Sequence, residues 1–590
     1  MTRSTPSVVS SPAVPIYRPT PRPSFPIQPL DPAAVYLDPG FPTFAAPPPS
    51  SLAESQSSSH PASSASDIPF HFDLFVNSLE TFQSFQRAFR NSHGQFISHP
   101  EIPPSERTVV VAVSGGIDSA MTAQLLVHLG LYKRVVAVHM RNWDEIEESG
   151  HCNGEKDAKD AAAICQALNI PLEVVDYSRE YFNDVFQDLL EGYSKGDTPS
   201  PDVLCNRVIK FQLLLDHVRA KYGQHAVLAT GHYARVRQIH AETVTATIPA
   251  ASTSFPSSSS STSSFSVVPS ASSAQLYIGL DPRKDQSYFL SSVPSHALMS
   301  CLCPLGWIQK SFLKQIASKW EVIIQNGPNE PIPNVTLTTA QQIQQQQQKN
   351  DDQPASPSMS SSRSSTPLQS VSRKRESMGI CFIGKRSMTD FLGEYIELHS
   401  GPFVDIDTGN ILGRHRGWEA WTTGQKANIS GQKVKYYVCG KVQRHVAGVL
   451  PYNARVAQYY TPYNVYVCAT RDHPALYTDD LILDELRWIH RSHVDDIATL
   501  PIATSYGRFL VKVRSTPDLC EAELVYESRD SFRLFFDRAQ FAIAPGQTCV
   551  FYDLTGKRCL GEGRIRSPGK SYAQMGKTRN GDVEPPSEEN

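Results

Sequence analysis

The hydrophobic pattern of this 590-residue chain changes character along its length. Residues 107–114 (RTVVVAVS) form a continuous apolar run, which predicts a strand buried on both faces. Met121, Leu125, Leu126 and Leu129 then fall on one side of a predicted helix. The alternation continues through strand 134–140 (RVVAVHM) and a helix carrying Ala158, Ala161, Ala162, Cys165 and Leu168. Strand 171–177 (PLEVVDY), helices near 181–194 and 206–222, and strand 226–230 (AVLAT) follow. Strands alternating with helices predict an α/β doubly wound parallel sheet, which binds ligands at the carboxyl ends of its strands. Residues 285–322, with Phe312, Ile316 and Trp320 at helical spacing, read as a helical connector. Beyond about residue 400 short β-rich runs take over: 434–439 (VKYYVC), 464–469 (NVYVCA), 509–513 (FLVKV) and 548–552 (TCVFY). They predict one or two small antiparallel barrels or sandwiches.

Other segments lack a sustained apolar period. Residues 1–66, rich in Pro, Ser and Ala, read as a disordered extension. The first thirty residues carry Arg3, Arg18 and Arg22 and no acid, which is compatible with an organelle presequence. Their prolines spoil an amphipathic helix, so a plain disordered tail stays open. A serine-rich stretch (241–274) and a Gln/Ser-rich stretch (336–372) read as disordered loop insertions, tolerated because loop closure costs little more as loops lengthen. The expected division is a catalytic domain over 67–240, its remainder with the connector over 275–335, and a central β-rich domain over 373–480. A C-terminal barrel over 481–570 and a disordered tail over 571–590 complete it.

Formal net charge is −3, so a polynucleotide partner would need a local basic patch. No apolar stretch approaches the ~18–20 residues of a membrane span, and the chain reads as soluble. Eleven cysteines without a CxxC pair make no disulfide scaffold. Cys301 and Cys303 form a CxC that reads as ordinary packing rather than a metal site.

The sharpest motif is Ser114-Gly115-Gly116-Ile117-Asp118-Ser119, between the first strand and the first helix. Its glycines let backbone approach a phosphate, and the helix start supplies amides and a favourable dipole. The lysine of the GxxxxGK[ST] loop is missing, so the γ-phosphate is not the obvious target. A second motif, 198–206 (TPSPDVLCN), sets Asp202 three residues from Cys205, with prolines stiffening the loop just before a helix. The helix start and the nearby Arg207 and Lys210 are expected to lower the thiol pKa. A third, 377–384 (SMGICFIG), carries Cys381 beside Lys385 and Arg386. Taken alone, it reads equally well as a strand cysteine.

The first motif resembles the pyrophosphate (PP) loop of the ATP pyrophosphatases. This likeness implies an ATP site of Ala112, Val113, Ser114, Gly115, Gly116, Ile117, Asp118, Ser119, Met140 and Gly231. The three motifs together with 230–235 (TGHYAR), 284–290 (KDQSYFL), 415–425 (HRGWEAWTTGQ) and 545–552 (PGQTCVFY) resemble the tRNA-specific 2-thiouridylases, bacterial MnmA and its mitochondrial counterpart. The likeness spans roughly 107–566 apart from the two insertions. Ser200 stands where the family usually has Asn, and TTGQK replaces the common TIGQR. The long insertion before Cys381 is a larger departure.

The resemblance implies ATP-dependent adenylation of the C2 oxygen of the wobble uridine (position 34), and its replacement by sulfur. Cys381 would carry a persulfide from an upstream donor protein. Either its terminal sulfur attacks C2, or Cys205 attacks the persulfide, freeing sulfide and forming a transient Cys205–Cys381 disulfide. Asp202 would be the acid/base, and Mg²⁺ would neutralise the phosphates. Implied tRNA contacts are Ser200, Pro201, Asp202, His232, Lys284, Asp285, Gln286, Arg514, Ser515 and Gln547. The eukaryotic members are mainly mitochondrial. The alternatives are another ATP pyrophosphatase that delivers nitrogen to an adenylated substrate, and a non-catalytic tRNA-binding relative. The first leaves both cysteine motifs unexplained.

Overall fold

The computed structural model describes residues 103–143, 153–239, 273–319, 386–441, 462–490, 505–528 and 531–580. The N-terminal extension, most of both insertions, Trp320 and the Cys381 segment through Lys385 lie outside these residues.

β1 (Thr108–Ala112), β2 (Arg134–Arg141), β3 (Leu172–Asp176) and β4 (Val227–Ala229) run parallel in the order β3-β2-β1-β4. Successive β1 side chains enter different layers. Val109 and Val111 pack with α1 (Ile117–Leu129) and α2 (Asn153–Ala167), while Val110 packs with Phe211, Leu214 and Val218 of the 201–222 helix. This two-sided burial explains the unbroken apolar runs and bears out the doubly wound parallel sheet. The order reverses at β1, opening the ligand crevice between the ends of β1 and β4.

Further strands lie before and within the region read as a helical connector. β5 (Ala234–Ile239) and β6 (Ser273–Ile278) pair antiparallel, and in sequence the serine-rich insertion runs between them. β7 (Cys301–Leu302) pairs parallel with β4 as the fifth strand of the sheet. Both CxC cysteines are buried there, Cys301 donating to the Ala297 carbonyl and Cys303 lying 3.5 Å from Thr230 Oγ1. Helix Lys310–Lys319 packs Leu313 and Ala317 on the α1 side.

The central domain is a five-stranded sheet of β8 (Gly401–Asp405), β9 (Ile411–His415), β10 (Lys426–Ala427), β11 (Tyr436–Lys441) and β12 (Val465–Cys468). β13 (Tyr477–Trp488), β14 (Ser505–Lys512), β15 (Cys520–Ser528), β16 (Ser531–Phe541), β17 (Thr548–Tyr552) and β18 (Arg558–Pro568) form a barrel closed by β13–β18 pairing. β18 also pairs with β6, so the catalytic domain's hairpin extends the barrel sheet. The expected disordered tail is ordered through Asn580: Ser571 bridges to Thr478 and Tyr572 is 6% exposed, its ring burying apolar surface against the barrel. Among the described residues no helix is long and apolar enough to cross a membrane.

Candidate active site

The glycine loop is built from the end of β1. Val113 N–H donates to the Val138 carbonyl at 2.8 Å, and the Val113 carbonyl meets His139 Nδ1 at 2.8 Å, tying the loop to β2. Gly115 sits at φ +76°, and a Cβ there would lie 2.5 Å from the Asp157 carbonyl oxygen of α2. Both facts require glycine. Ser119 Oγ accepts from Ser114 N–H at 3.0 Å and donates to the Gly116 carbonyl at 3.0 Å, shaping the turn from behind. Only Ser114 of the two hydroxyl residues is exposed. Gly231, just past β4, faces the loop: a Cβ there would stand 3.0 Å from Ser119 N. The loop, Met140 at the end of β2 and Gly231 therefore share one end of the sheet.

Asp118 is held by two residues that the motifs left without a role. Tyr233 hydroxyl donates to its Oδ1 at 2.8 Å, and Lys310 Nζ pairs with the same oxygen. Lys310 is 5% exposed and lies over the Tyr233 ring, 5.4 Å from its centroid. Tyr233 was visible in TGHYAR, whereas nothing marked Lys310.

The proline loop differs from expectation in one physical respect. The helix begins at Pro201, not at Asn206, because Pro suits the first helical position. Cys205 therefore lies inside the helix, which continues through a π-helical stretch, Asn206–Leu213, to Leu214–Tyr222. Burial pushes its thiol pKa up and Asp202 adds to the rise, with Lys210 pulling against both. The expected lowering is thus overturned by desolvation. Asp202 opens to solvent yet is crowded enough that desolvation lifts its carboxyl, again opposed by Lys210. Asp202, Asn206 and Lys210 follow at four-residue steps along this helix. Lys210 Nζ donates to Asn206 Oδ1 at 3.0 Å, and Asn206 Nδ2 donates to the Phe289 carbonyl at 2.8 Å. His232 meets Thr230 Oγ1 through Nδ1 at 2.8 Å; its pKa is depressed to about 3 by burial and by Lys210. Lys210 thus faces Asp202, Cys205 and His232 together.

Three elements converge on the start of this loop. Pro199 rests on Gly192, and Gly196 (φ +85°) ends the preceding helix against the Trp418 ring. Thr198 N–H donates to the Pro545 carbonyl at 2.8 Å, its carbonyl accepts from Gln547 Nε2 at 2.7 Å, and its hydroxyl meets Thr422 Oγ1 at 3.1 Å. Both β-rich domains therefore grip one residue. Cys205 shares an apolar cluster with Tyr181, Phe186, Phe391 and Leu392. The last two belong to helix Met388–Leu392, a few residues beyond Cys381, which itself lies outside the described residues.

Several residues assigned to tRNA contact are engaged internally. The Asp285 side chain is 4% exposed, pairs with Lys512 at 3.1 Å and accepts from Gly279 and Ser287 N–H. Gln286 Oε1 accepts from Tyr233 N–H. Arg514 donates to the carbonyls of Phe541 and Ala542 and lies over the Phe541 ring. Burying Asp285 without Lys512 would strand a charge, so this pair has a structural reason to exist. Ser200 is half-buried, Pro201 is buried and Ser515 is exposed. Among the described residues no group of three His, Cys, Asp or Glu side chains could hold a metal.

Residues 107–330 match the family described as tRNA methyl transferase HUP domain, 389–445 the tRNA methyl transferase PRC-barrel domain, and 478–565 the aminomethyltransferase beta-barrel domain. Along most of its length the chain is similar to mitochondrial tRNA-specific 2-thiouridylase 1 of Drosophila melanogaster, at 34% identity over 78% of this chain and 94% of that protein. The human protein of the same name is 33% identical over 80% of this chain and 94% of its own. The tRNA-specific 2-thiouridylase MnmA of Chlamydia pneumoniae is 32% identical over 78% and 98%. Domain descriptions and full-length names differ over the group transferred. The full-length matches weigh more, since each spans over nine-tenths of the relative and all three domains together.

Proposed function

The chain belongs to the tRNA-specific 2-thiouridylase family, and from that premise we propose that it replaces the C2 oxygen of the tRNA wobble uridine with sulfur, in the mitochondrion. ATP is the activating substrate. The amides of residues 115–119 at the start of α1, with the exposed Ser114 beside them, receive its phosphates, where the helix dipole favours negative charge. Mg²⁺ fits this site as an ion held chiefly by the phosphates, with Asp118 the adjacent carboxylate, and it would offset phosphate charge. The uridine, seated against Ser200, Pro201 and Asp202, attacks the α-phosphorus through its C2 oxygen. Pyrophosphate leaves, and the oxygen becomes part of an AMP leaving group. The raised pKa of Asp202 suits it to hold a proton close to the base and return it.

Sulfur arrives as a Cys381 persulfide loaded by an upstream donor. Either the terminal sulfur adds to C2 and Cys205 thiolate then attacks the Cys381 sulfur, or Cys205 attacks first and the released sulfide adds to C2. On both routes AMP departs, the transferred sulfur is reduced by two electrons, and a Cys205–Cys381 disulfide holds the oxidation until a thiol reductant removes it. The observation that carries this reading is the grouping of Asp202, Cys205 and Lys210, with Cys205 covered by residues that follow Cys381 along the chain.

The test is mass-spectrometric detection of 2-thiouridine, with AMP and pyrophosphate release, in a wobble-uridine tRNA transcript supplied with a persulfide donor. Cys205→Ser and Cys381→Ser should each lose thiolation and keep pyrophosphate release. Thiolation by Cys381→Ser would refute the persulfide role, and its absence in wild type would refute the function.

A further inference from the structure

Two cations of the C-terminal barrel are turned inward: Arg514, an implied tRNA contact, to two carbonyls, and Lys512, two residues before it, to Asp285. With a net charge of −3, a polyanion partner requires a positive field concentrated elsewhere. The central domain carries one. Arg414 on β9, Lys426 on β10, and Lys433 and Lys435 in the turn leading to β11 are exposed. None of the four forms an ion pair among the described residues. Between residues 411 and 437 the acid present is Glu419, which is 1% exposed and bonded to His399.

The turn before β11 lies against β9, which brings the strand of Arg414 near the turn of Lys433 and Lys435, and Lys426 on β10 pairs across from Tyr437, two residues past Lys435. Gln432 Nε2 donates to the Leu412 carbonyl at 3.4 Å, and a Cβ on Gly413 would lie 2.8 Å from Ile429 Cγ2. Exposed Ile411 and Val434 stand among them. The face also adjoins the proposed chemistry. Thr422 touches Thr198 at the start of the proline loop. Lys426 follows Thr422 by four residues, a span of at most ~14 Å.

We propose that the face formed by Arg414, Lys426, Lys433 and Lys435 binds the phosphate backbone of tRNA beside the target uridine. This rests on the thiouridylase reading and adds to it a surface on the central domain. A strand seated at Asp202 carries a phosphate on every nucleotide, and unpaired cations within a few nucleotides' reach meet it at little desolvation cost. The positive face thus supplies the field that the whole chain lacks.

The experiment measures affinity for an unmodified wobble-uridine tRNA transcript across a salt series. It compares wild type with a quadruple variant (Arg414→Gln, Lys426→Gln, Lys433→Gln, Lys435→Gln). Each phosphate neutralised contributes roughly 0.7–0.9 to the logarithmic salt slope, so the variant should lose about 3 from its magnitude and bind at least about tenfold more weakly at low salt. ATP affinity and thermal midpoint should stay at wild-type values, because all four side chains are exposed. Equal affinity and slope for variant and wild type would overturn the proposal. So would a variant that keeps its tRNA affinity and loses binding only to phosphatidylserine vesicles, which would assign the face to a membrane surface. A wild-type protein with no affinity for tRNA would sink the thiouridylase reading itself, and that arm separates the two failures.

Discussion

Replacing Lys310 with methionine tests whether the buried ion pair at the nucleotide loop orients Asp118. Met keeps most of the side-chain volume, so the core around the 5%-exposed Lys310 stays filled and the ammonium alone is lost. Breaking a fully buried pair costs about 3–5 kcal/mol because the remaining charge is stranded. Asp118 is not stranded to that degree: its side chain is 35% exposed and retains the Tyr233 hydroxyl at 2.8 Å. Rehydration of the freed carboxylate should therefore hold the stability loss to about 1–2 kcal/mol. Catalysis should suffer more. With one anchor instead of two, the carboxylate samples other rotamers, and lost orientation of this kind costs about ten- to a hundredfold. Pyrophosphate release with tRNA present is the assay, alongside the thermal midpoint. Lys310→Arg should recover part of the rate, since it keeps the charge. A Lys310→Met enzyme that turns over at the wild-type rate with a lowered midpoint would show that the pair only supports the fold.

Two further outcomes follow from the proline loop. Gln547→Ala and Thr198→Val should each lower kcat for thiolation by about tenfold, since they loosen the loop that leads into the helix carrying Asp202 and Cys205, with KM for tRNA unchanged and Thr198→Ser near wild type. A raised KM with kcat intact in Gln547→Ala would mean that this amide contacts tRNA and does not position the loop. Lys210 lowers the Cys205 thiol pKa against burial, so thiolation should climb with pH as the thiolate forms. Lys210→Met should shift that ascending limb to higher pH and Lys210→Arg should leave it in place; an unmoved limb in Lys210→Met would detach Lys210 from the thiol.

The parallel sheet was legible because strands buried on both faces must be apolar throughout, as Val109, Val110 and Val111 are. β7 was not, since two residues carry no period and its pairing with β4 is a tertiary fact. The glycine loop could be read because its function lies in consecutive residues. Lys310 could not, being 192 positions from the carboxylate it holds. The same limit explains the cations. Sequence displays the sign of Lys512 but not Asp285, 227 positions away, which occupies it. Cys205 shows the reverse error: helix position and neighbouring charges argued for a lowered pKa, and burial, which no local pattern displays, decided the direction.

That burial fits the order of events which the chemistry demands. A persulfide is consumed by any thiolate that reaches it, so an exposed, ionised Cys205 would discharge sulfide before the uridine is activated. At 6% exposure, burial pushes the Cys205 thiol pKa up and disfavours the thiolate, while Lys210 pulls it back down and would favour the thiolate if the site opened. Phe391 and Leu392 share its apolar cluster and follow Cys381 in the chain. On the proposed mechanism, a displacement of that cover would expose the thiol. If Cys205 and Cys381 act as proposed, uncovering of the first thiol would have to coincide with arrival of the second, and a free-standing low-pKa thiol, the feature usually sought in a catalytic cysteine, would work against the reaction.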